Sequence, residues 1–315
     1  MLVFGPVPSR RLGRSLGINN IPPKACSYSC VYCQVGPTRA PEIAPRKFYT
    51  PDLICQAVEN RLAQIRETGG HVDYLTFVPD GEPTLDALLG ESIARLRPLG
   101  IPVAVISNAS LLWREAVRDA LMQADWVSLK VDAIAEPLWR RINRPHPSLD
   151  HLAILEGMAV FAGGFSGTLA TESMIVRGLN DSDQAAKDLA GFLGKLAPAV
   201  AYLSVPTRPP AEKHVHAPGE AVLNRIYQIV SREVNNLELL TGYEGNAFAS
   251  TGDVVEDLLS ITSVHPLREA AVRELLHKTG SHWRVVEQLI AEKQLTQTVY
   301  EGTKFYLRRI PDRRG

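Results

Sequence analysis

The sequence predicts an α/β fold, with a partial (β/α)6 barrel followed by a small domain of three helices and one hairpin. From about residue 50, short β-rich runs alternate with stretches of helical period. This alternation is typical of strands joined by crossover helices around a parallel sheet. The pattern changes after Gly245. We therefore expect a barrel domain at 1–245, a linker at 246–252 and a C-terminal domain at 253–315.

Seven strands and six helices are predicted in the barrel domain. We expect strands at Ser15–Ile18, Tyr74–Val78, Val103–Ser107, Trp126–Lys130, Leu169–Val176, Tyr202–Val205 and Leu237–Thr241. We expect helices at Pro51–Arg66, Leu85–Leu96, Leu112–Gln123, Leu149–Phe161, Asp183–Leu193 and Gly219–Val234. In parallel βα folds the reactive groups lie at the C-terminal ends of the strands, so residues that follow a strand are site candidates.

The C-terminal domain has the layout of a winged helix. Helical period covers Asp253–Ser260, Pro266–Lys278 and His282–Lys293, and the runs Leu295–Tyr300 and Lys304–Arg308 flank a tight turn. From residue 266 to the end there are ten Lys or Arg and six Asp or Glu. This mild positive charge fits contact with nucleic acid. The third helix has as many acidic as basic residues, so docking of a peptide or protein stays an alternative.

Composition and charge are those of an ordinary soluble globular protein. Of the 315 residues, 45% are hydrophobic and 22% are charged, and 34 Lys or Arg balance 34 Asp or Glu. Overall charge therefore indicates no particular partner. No apolar stretch approaches the roughly 18 residues that cross a bilayer, and the N-terminal segment has prolines and arginines where a signal peptide is apolar. We expect a cytoplasmic protein with no membrane contact.

Three of the four cysteines are clustered. Cys26, Cys30 and Cys33 have the spacing C-x3-C-x2-C on a loop expected after the first strand, while Cys55 stands apart. Soft thiolates suit iron and sulfide, and a tight thiol cluster is not a disulfide framework. A cubane cluster has four irons, so three cysteines leave one iron without a protein ligand. Two alternatives are inert thiols clustered by chance, and a structural zinc site completed by Cys55 or His71.

A second motif, Asp80-Gly81-Glu82-Pro83-Thr84, follows the predicted strand Tyr74–Val78 and contains the turn Gly81-Glu82-Pro83. Glycine lets the backbone come close to a ligand, and carbonyls with a carboxylate suit an ammonium group. Alone, this segment is an ordinary strand-to-helix turn with proline at the first helical position.

Together, the cysteines and this turn closely resemble the radical S-adenosylmethionine (SAM) superfamily. The resemblance implies that the three cysteines hold a 4Fe-4S cluster, which cleaves S-adenosyl-L-methionine reductively, and that the turn receives the SAM ammonium. It also implies contacts to the ribose or the methionine carboxylate from Ser107, Ser128 and Ser173. Adenine contacts are expected from Tyr32 and Val205. Two further residues at strand ends complete the expected cofactor site, namely Asn108 and Lys130.

Lys130 stands where an acidic or small residue is expected by similarity. It could pair with the SAM carboxylate, bind an acidic substrate, form a Schiff base or pair with Asp132. Four arginines could bind a phosphate or carboxylate substrate near the barrel mouth. The alternative is that they are solvated or paired structurally. They are Arg10, Arg11, Arg14 and Arg208.

Within the superfamily, Phe4–Gly13, Pro23–Cys26 and Pro206–Glu212 resemble the wyosine-synthase-like (tRNA imidazo-guanosine synthetase-like) branch. That branch includes an enzyme that converts N-methylguanosine in tRNA, with pyruvate, to a tricyclic base. The resemblance covers about residues 1–245 and implies tRNA-base modification, with flavodoxin or ferredoxin as electron donor. The tRNA enzymes carry a second cluster on three further cysteines, and this chain has none before Cys26.

The sequence therefore predicts a radical SAM enzyme that acts on a substrate held in the barrel. A small metabolite or a peptide is the alternative substrate, and 3-amino-3-carboxypropyl transfer is the alternative reaction. A hypothesis from another class is a redox-sensing iron–sulfur regulator that binds nucleic acid.

Overall fold

The computed structural model describes residues 2–67, 69–241, 253–264 and 266–309. The predicted linker at 246–252 lies outside these residues, as does the predicted boundary at Gly245.

An open eight-stranded sheet organises the larger part of the chain. Its strands lie side by side in chain order, β1 being antiparallel to β2 and every later strand parallel to the one before it. The curled sheet is a partial barrel, so the predicted α/β class is confirmed. The strands are β1 (Val3–Ser9), β2 (Gly13–Ile18), β3 (Tyr74–Phe77), β4 (Val103–Ser107), β5 (Trp126–Lys130), β6 (Thr168–Met174), β7 (Val200–Ser204) and β8 (Leu237–Leu240).

In the described part of the chain, seven α-helices accompany these strands. Because strands of a parallel sheet are joined by crossover connections, each helix packs an apolar face against the sheet. In α6, for example, Ala186, Leu189 and Leu193 are buried, and the Ser182 hydroxyl caps the helix by accepting from the Ala185 amide at 3.2 Å. The helices are α1 (Pro51–Glu67), α2 (Leu89–Leu96), α3 (Glu115–Leu121), α4 (Glu136–Asn143), α5 (His151–Gly164), α6 (Asp183–Leu196) and α7 (Glu220–Val230).

Three elements of this part differ from the sequence prediction. Strand β1 was not predicted, because its prolines Pro6 and Pro8 are unusual in a strand; they are tolerated here since β1 lies at the edge of the sheet. Helix α4 was also missed. The helix expected at Leu85–Leu96 is divided into a 3-10 helix, Pro83–Leu85, and α2.

The C-terminal part forms a second small sheet with its own core. Its elements are α8 (Val254–Val264), β9 (Leu267–Arg268), α9 (Glu269–Lys278), α10 (Arg284–Ala291), β10 (Leu295–Tyr300) and β11 (Thr303–Arg308). The sheet has the order β10-β11-β9. The helix expected at Pro266–Lys278 begins instead with the short strand β9, because Leu267 and Arg268 pair with β11.

Two sets of contacts join the C-terminal part to the larger part. The buried Arg61 guanidinium of α1 donates to the Gly5 carbonyl of β1 at 2.8 and 2.6 Å and lies 3.5 Å from the Asp257 carboxylate of α8. The Tyr300 hydroxyl of β10 lies 3.4 Å from the carbonyls of Pro206 and Val215. Both carbonyls belong to the loop 205–219 that joins β7 to α7, so the β10–β11 hairpin holds this loop.

Among the described residues, none of the helices has both the length and the apolar character needed to span a bilayer.

Candidate active site

A cavity of about 310 Å³ lies at the C-terminal ends of the sheet strands, where the fold class places reactive groups. Nine of the predicted site residues line it: Cys26, Cys30, Tyr32, Cys33, Gly81, Ser107, Asn108, Lys130 and Val205. Four do not, namely Glu82, Pro83, Ser128 and Ser173. The last two are buried serines whose hydroxyls have no hydrogen-bond partner within the described residues.

The three clustered cysteines lie on one loop between β2 and α1, which we call the cysteine loop (residues 24–36). The Cys33 amide donates to the Cys30 carbonyl at 3.1 Å, and the Gly36 amide donates to the Cys33 carbonyl at 3.1 Å. These two tight turns bring the second and third cysteine side chains to the same cavity as Cys26.

Each cysteine sulfur accepts a hydrogen bond from a different side chain. The side-chain amide nitrogen of Asn108 lies 3.6 Å from the Cys26 sulfur, and the side-chain amide nitrogen of Asn143 lies 3.4 Å from the Cys30 sulfur. The ammonium of Lys24 lies 3.9 Å from the Cys33 sulfur. Donors directed at sulfur stabilise thiolates rather than thiols, so the surroundings favour the metal-binding form.

Burial acts on these thiols in the opposite sense. It raises the pKa of Cys26 to about 12 and raises the pKa of Cys30 further. A buried thiolate therefore requires a positively charged partner, and a metal centre deprotonates its thiol ligands outright.

The Glu82 carboxylate is fully buried and holds the ends of two strands together. It accepts from the backbone amide of Thr84 at 3.0 Å and from the Thr84 hydroxyl at 2.6 Å. It also accepts from the Ser107 hydroxyl at 2.7 Å and from the backbone amide of Asn108 at 2.6 Å. Burial nevertheless raises its pKa. Through these bonds Glu82 fixes Asn108, whose side chain in turn contacts Cys26.

Gly81 allows the Gly81-Glu82-Pro83 turn to approach the cysteine loop. A Cβ atom at this position would lie 1.9 Å from the Ala25 carbonyl oxygen. The two backbones pair directly, since the Lys24 amide donates to the Asp80 carbonyl at 2.7 Å and the Glu82 amide donates to the Ala25 carbonyl at 2.9 Å. The glycine is therefore required for contact between two backbone segments.

A buried cluster of charges, which we call the ion-pair cluster, lines another part of the cavity. Lys130 and Glu172 are register partners on β5 and β6, and the Lys130 ammonium lies 2.8 Å from the Glu172 carboxylate. Arg11 pairs with the other carboxylate oxygen, Oε2, and the Ser204 hydroxyl donates to Oε1, the oxygen that Lys130 binds, at 3.0 Å. Of the alternatives left open for Lys130, the structure shows an ion pair within the protein, but its partner is Glu172, and Asp132 adds only a weaker electrostatic attraction.

Charge pairing dominates the pKa values in this cluster. Burial opposes ionisation of both partners, but Lys130 and Arg11 hold the pKa of Glu172 far below its usual range. In the same way, the Glu172 carboxylate raises the pKa of Lys130 against the effect of burial. Both shifts favour the ionised forms, so Lys130 and Glu172 stabilise each other as an ion pair.

Tyr32 connects the cysteine loop with the ion-pair cluster. Its hydroxyl donates to the Asp132 carboxylate, which also accepts from the Asn143 amide at 2.7 Å. The Lys130 ammonium lies 5.1 Å from the centre of the Tyr32 ring, within the range of a cation–π contact. Asn143, which binds both Cys30 and Asp132, completes the connection.

Comparison with known proteins agrees with this geometry. The model of the radical SAM superfamily matches residues 20–190. The chain belongs to the radical SAM superfamily. The UPF0026 protein MJ1312 of Methanocaldococcus jannaschii is 45% identical over 314 residues, covering 99% of this chain and 97% of that protein. A UPF0026 protein of Helicobacter pylori is 31% identical and covers 97% of both chains.

Solved structures share the fold. A structure of TYW1 with a lysine–pyruvate adduct bound has a TM-score of 0.55 at 15% identity, covering 70% of this chain and 74% of that one. A radical SAM methyltransferase from Sphaerobacter thermophilus has a TM-score of 0.50 at 17% identity, over 72% of this chain and 66% of that one. The predictions of an enzyme, and of a 4Fe-4S cluster and SAM as its cofactors, are confirmed.

The cavity residues fit these radical SAM cofactors. Three thiols on one loop can ligate three irons of a cubane, and an adjoining cavity with both polar and apolar lining suits SAM. The zinc alternative needed a fourth ligand from Cys55 or His71. Cys55 lies on α1 with its sulfur 3.8 Å from the Arg95 carbonyl, and His71 lies near Arg14, so neither lines the cavity. Within the described ranges, no group of three or more His, Cys, Asp or Glu is placed to hold one metal ion, so the three cysteines fit a cluster of several irons rather than a single zinc ion.

Several residues of the radical SAM site were not found from the sequence. Glu172 directly precedes the predicted site residue Ser173. Because neighbouring residues of a strand point to opposite faces, Glu172 lines the cavity and Ser173 faces away from it. Asn143 carries no sequence signal, since α4 was not predicted, and Asp132, which was considered only as a partner of Lys130, instead binds Tyr32 and Asn143. Of the four candidate arginines, Arg10, Arg11 and Arg208 line the cavity and Arg14 does not.

Proposed function

We propose that Cys26, Cys30 and Cys33 hold the cluster and that the enzyme abstracts hydrogen from a substrate held in the adjoining cavity. The observation that carries this proposal is that all three thiols lie on one loop and line one cavity at the strand ends. The cofactors, when bound, supply an electron and a carbon radical. The protein's part is to bind, to orient and to exclude water.

Different residues of this chain serve these tasks. Gly81, Asn108, Tyr32 and Val205 line the cavity and are proposed to contact SAM. Glu82 is a positioning residue, because its carboxylate acts through Ser107 and Asn108. Ser107 lines the cavity as well, but its hydroxyl is already donated to Glu82.

We propose modification of a tRNA base as the reaction. The support is the resemblance of Phe4–Gly13 and Pro206–Glu212 to the wyosine-synthase-like branch, together with a fold similar to that of TYW1. An electron donor such as flavodoxin or ferredoxin would reduce the cluster, and a cytoplasmic location suits that donor.

We further propose that residues 253–315 form a separate winged-helix-like domain after a barrel domain at 1–245. The order α8-β9-α9-α10-β10-β11 and the separate core of this part support the proposal. Contact with nucleic acid or with a protein is the role that such a domain would serve.

The test is SAM cleavage by anaerobically reconstituted protein with dithionite. We expect 5′-deoxyadenosine, or the product of 3-amino-3-carboxypropyl transfer if another carbon–sulfur bond breaks. The variant Cys30→Ala should lose bound iron, the absorbance near roughly 400 nm that marks the cluster, and SAM cleavage. Cys55→Ala is the matched control, because Cys55 is buried on α1 away from the cavity, and it should keep all three.

Two outcomes would contradict the proposal. One is SAM cleavage by Cys30→Ala at the rate of the unchanged protein. The other is a reconstituted, iron-loaded protein that forms neither product.

A further inference from the structure

A buried carboxylate lies beside the cysteine loop. Asp132 follows the end of β5, and its side chain is buried. Its oxygen Oδ2 accepts from the Tyr32 hydroxyl and from the side-chain amide of Asn143 at 2.7 Å, and Oδ1 accepts from the backbone amide of Met174 at 2.8 Å. All three partners are donors. Because an ionised carboxylate is an acceptor only, these contacts suit a negatively charged Asp132.

Asn143 links this carboxylate to the second cysteine. The side-chain nitrogen that donates to Asp132 also lies 3.4 Å from the Cys30 sulfur. An amide nitrogen carries two hydrogens, so it can serve both acceptors. The carboxylate oxygen therefore lies no farther from the sulfur than the sum of these two distances. Asp132 also fixes the orientation of the amide, since a carboxylate accepts only from its nitrogen side.

Tyr32 provides a second link to the cysteine loop. It lies between Cys30 and Cys33 in the sequence, so its hydroxyl bond to Asp132 holds the segment that joins two of the proposed ligands. Burial has the largest effect on the pKa of Cys30 and the Asp132 charge has the next largest, and both raise it. The carboxylate therefore disfavours additional negative charge at this sulfur.

Reduction of a cluster held by Cys26, Cys30 and Cys33 adds negative charge at this place. The electron donor loses one electron and the cluster gains it. Nearby charge is one of the factors that set the reduction potential of an iron–sulfur cluster. A fixed carboxylate opposes the gain of an electron, whereas the neutral donor Asn143 favours it. At this separation a full charge acts more strongly than one neutral hydrogen bond, so the effect of Asp132 is the larger.

We infer that Asp132 is a positioning residue that holds Tyr32 and Asn143 against the cysteine loop and, through its charge, lowers the reduction potential of the cluster. A lower potential makes the reduced cluster a stronger reductant toward SAM. The inference rests on the proposed function, since it requires the cluster to be bound at the three cysteines.

The test is a redox titration of the anaerobically reconstituted protein without SAM, with dithionite and mediator dyes and with electron paramagnetic resonance as the readout. In Asp132→Asn, which keeps the shape and one acceptor oxygen, the equilibrium constant for reduction should rise about tenfold or more, about 59 mV for a one-electron couple. Asp119→Asn is the matched control. Asp119 is exposed on α3, and because water screens its charge the constant should change less than about twofold.

Two further variants separate charge from shape. Asp132→Glu keeps the charge in a longer side chain, so the constant should stay within about threefold of that of the unchanged protein. Tyr32→Phe removes a donor but leaves the carboxylate, so the constant should fall, by less than about tenfold. Iron content is measured first in every variant. If Asp132→Asn retains too little iron to titrate, these two variants decide.

Three results would overturn the inference. They are an Asp132→Asn cluster that is no easier to reduce than that of the unchanged protein or of Asp119→Asn, a tenfold rise in Asp132→Glu, and a rise in Tyr32→Phe. Cluster loading and SAM cleavage by the unchanged protein are measured separately. An unchanged protein that loads the cluster and cleaves SAM, with a potential that ignores Asp132→Asn, overturns only this inference. An unchanged protein that binds no cluster overturns the proposed function.

Discussion

The cysteine loop and the ion-pair cluster line the same cavity but balance their charges in opposite ways. In the ion-pair cluster, Glu172 has two cations and a hydroxyl within reach, so the protein itself supplies every partner. In the cysteine loop, burial raises the pKa of Cys26 and Cys30, and the nearest donors are mostly neutral amides. The charges of the ion-pair cluster are therefore neutralised within the protein, whereas the thiolates of the cysteine loop need a bound cationic centre to be stable.

The largest effect is expected from breaking the ion-pair cluster. Glu172→Gln would leave Lys130 and Arg11 as buried cations without their carboxylate, which should lower the free energy of unfolding by about 3–5 kcal/mol. Chemical denaturation of the iron-free protein measures this. Glu156→Ala, on the exposed face of α5, is the control and should change stability by less than about 0.5 kcal/mol. A loss below about 1 kcal/mol would show that the cluster is not a buried ion pair.

The pH dependence of that loss gives a sharper test. Because the folded protein holds the pKa of Glu172 far below its usual range, the stabilisation is fully present above the unfolded value of about 4.3. It is lost only as the pH falls further toward the folded pKa. The difference between the unchanged protein and Glu172→Gln should therefore be constant from pH 7 to about pH 5 and shrink in stronger acid.

Asp80, beside the cysteine loop, should respond to pH in the opposite sense. Burial raises its pKa to about 7, and one of its carboxylate oxygens has no partner among the described residues. Between about pH 4 and pH 7 the unfolded chain is ionised at this position while the folded protein is not, so stability falls as the pH rises. Asp80→Asn should remove this fall, gaining about 2–4 kcal/mol at pH 7 and nothing near pH 4. Denaturation of the iron-free protein across this range is the measurement, and a gain of equal size at pH 4 would contradict it.

A smaller loss is expected from separating the Gly81 turn from the cysteine loop. Gly81→Ala would place a methyl group 1.9 Å from the Ala25 carbonyl, so the two backbones must move apart. We expect a loss of about 1–3 kcal/mol and reduced iron loading on reconstitution. Gly163→Ala, in α5 with open space around it, is the control and should be neutral or slightly stabilising.

The smallest effect concerns the donors to sulfur. Asn143→Ala removes the amide that lies 3.4 Å from the Cys30 sulfur. Since such donors favour the reduced, more negative cluster, its reduction potential should fall on the order of 40 mV, the one-electron equivalent of about 1 kcal/mol. A redox titration followed by electron paramagnetic resonance measures the shift. The exposed Asn224 gives the control variant Asn224→Ala, and a shift as large in that variant would refute the assignment.

Sequence periodicity predicted the sheet well because each parallel strand is an apolar run between helices. Strand β4, for example, was predicted with the bounds that the structure has. Strand β1 was missed because only its edge position makes Pro6 and Pro8 acceptable.

The site was predictable only where the chemistry is local. The spacing of the cysteines identified the cysteine loop, but the ion-pair cluster depends on which residues of β5 and β6 face inward. Because strands of a parallel sheet are buried on both faces, their sequence does not distinguish Glu172 from Ser173.

The contact of Tyr300 with the loop 205–219 connects the C-terminal part of the chain to the cavity. The same loop contributes Val205 and Arg208 to the cavity. A partner that pulls the β10–β11 hairpin away must release this loop, and a substrate that orders the loop must strengthen the hold on the hairpin. If a partner bound to the C-terminal part changed the affinity of the cavity for its substrate, the substrate would change the affinity for that partner by the same factor, because coupling between two binding events is reciprocal.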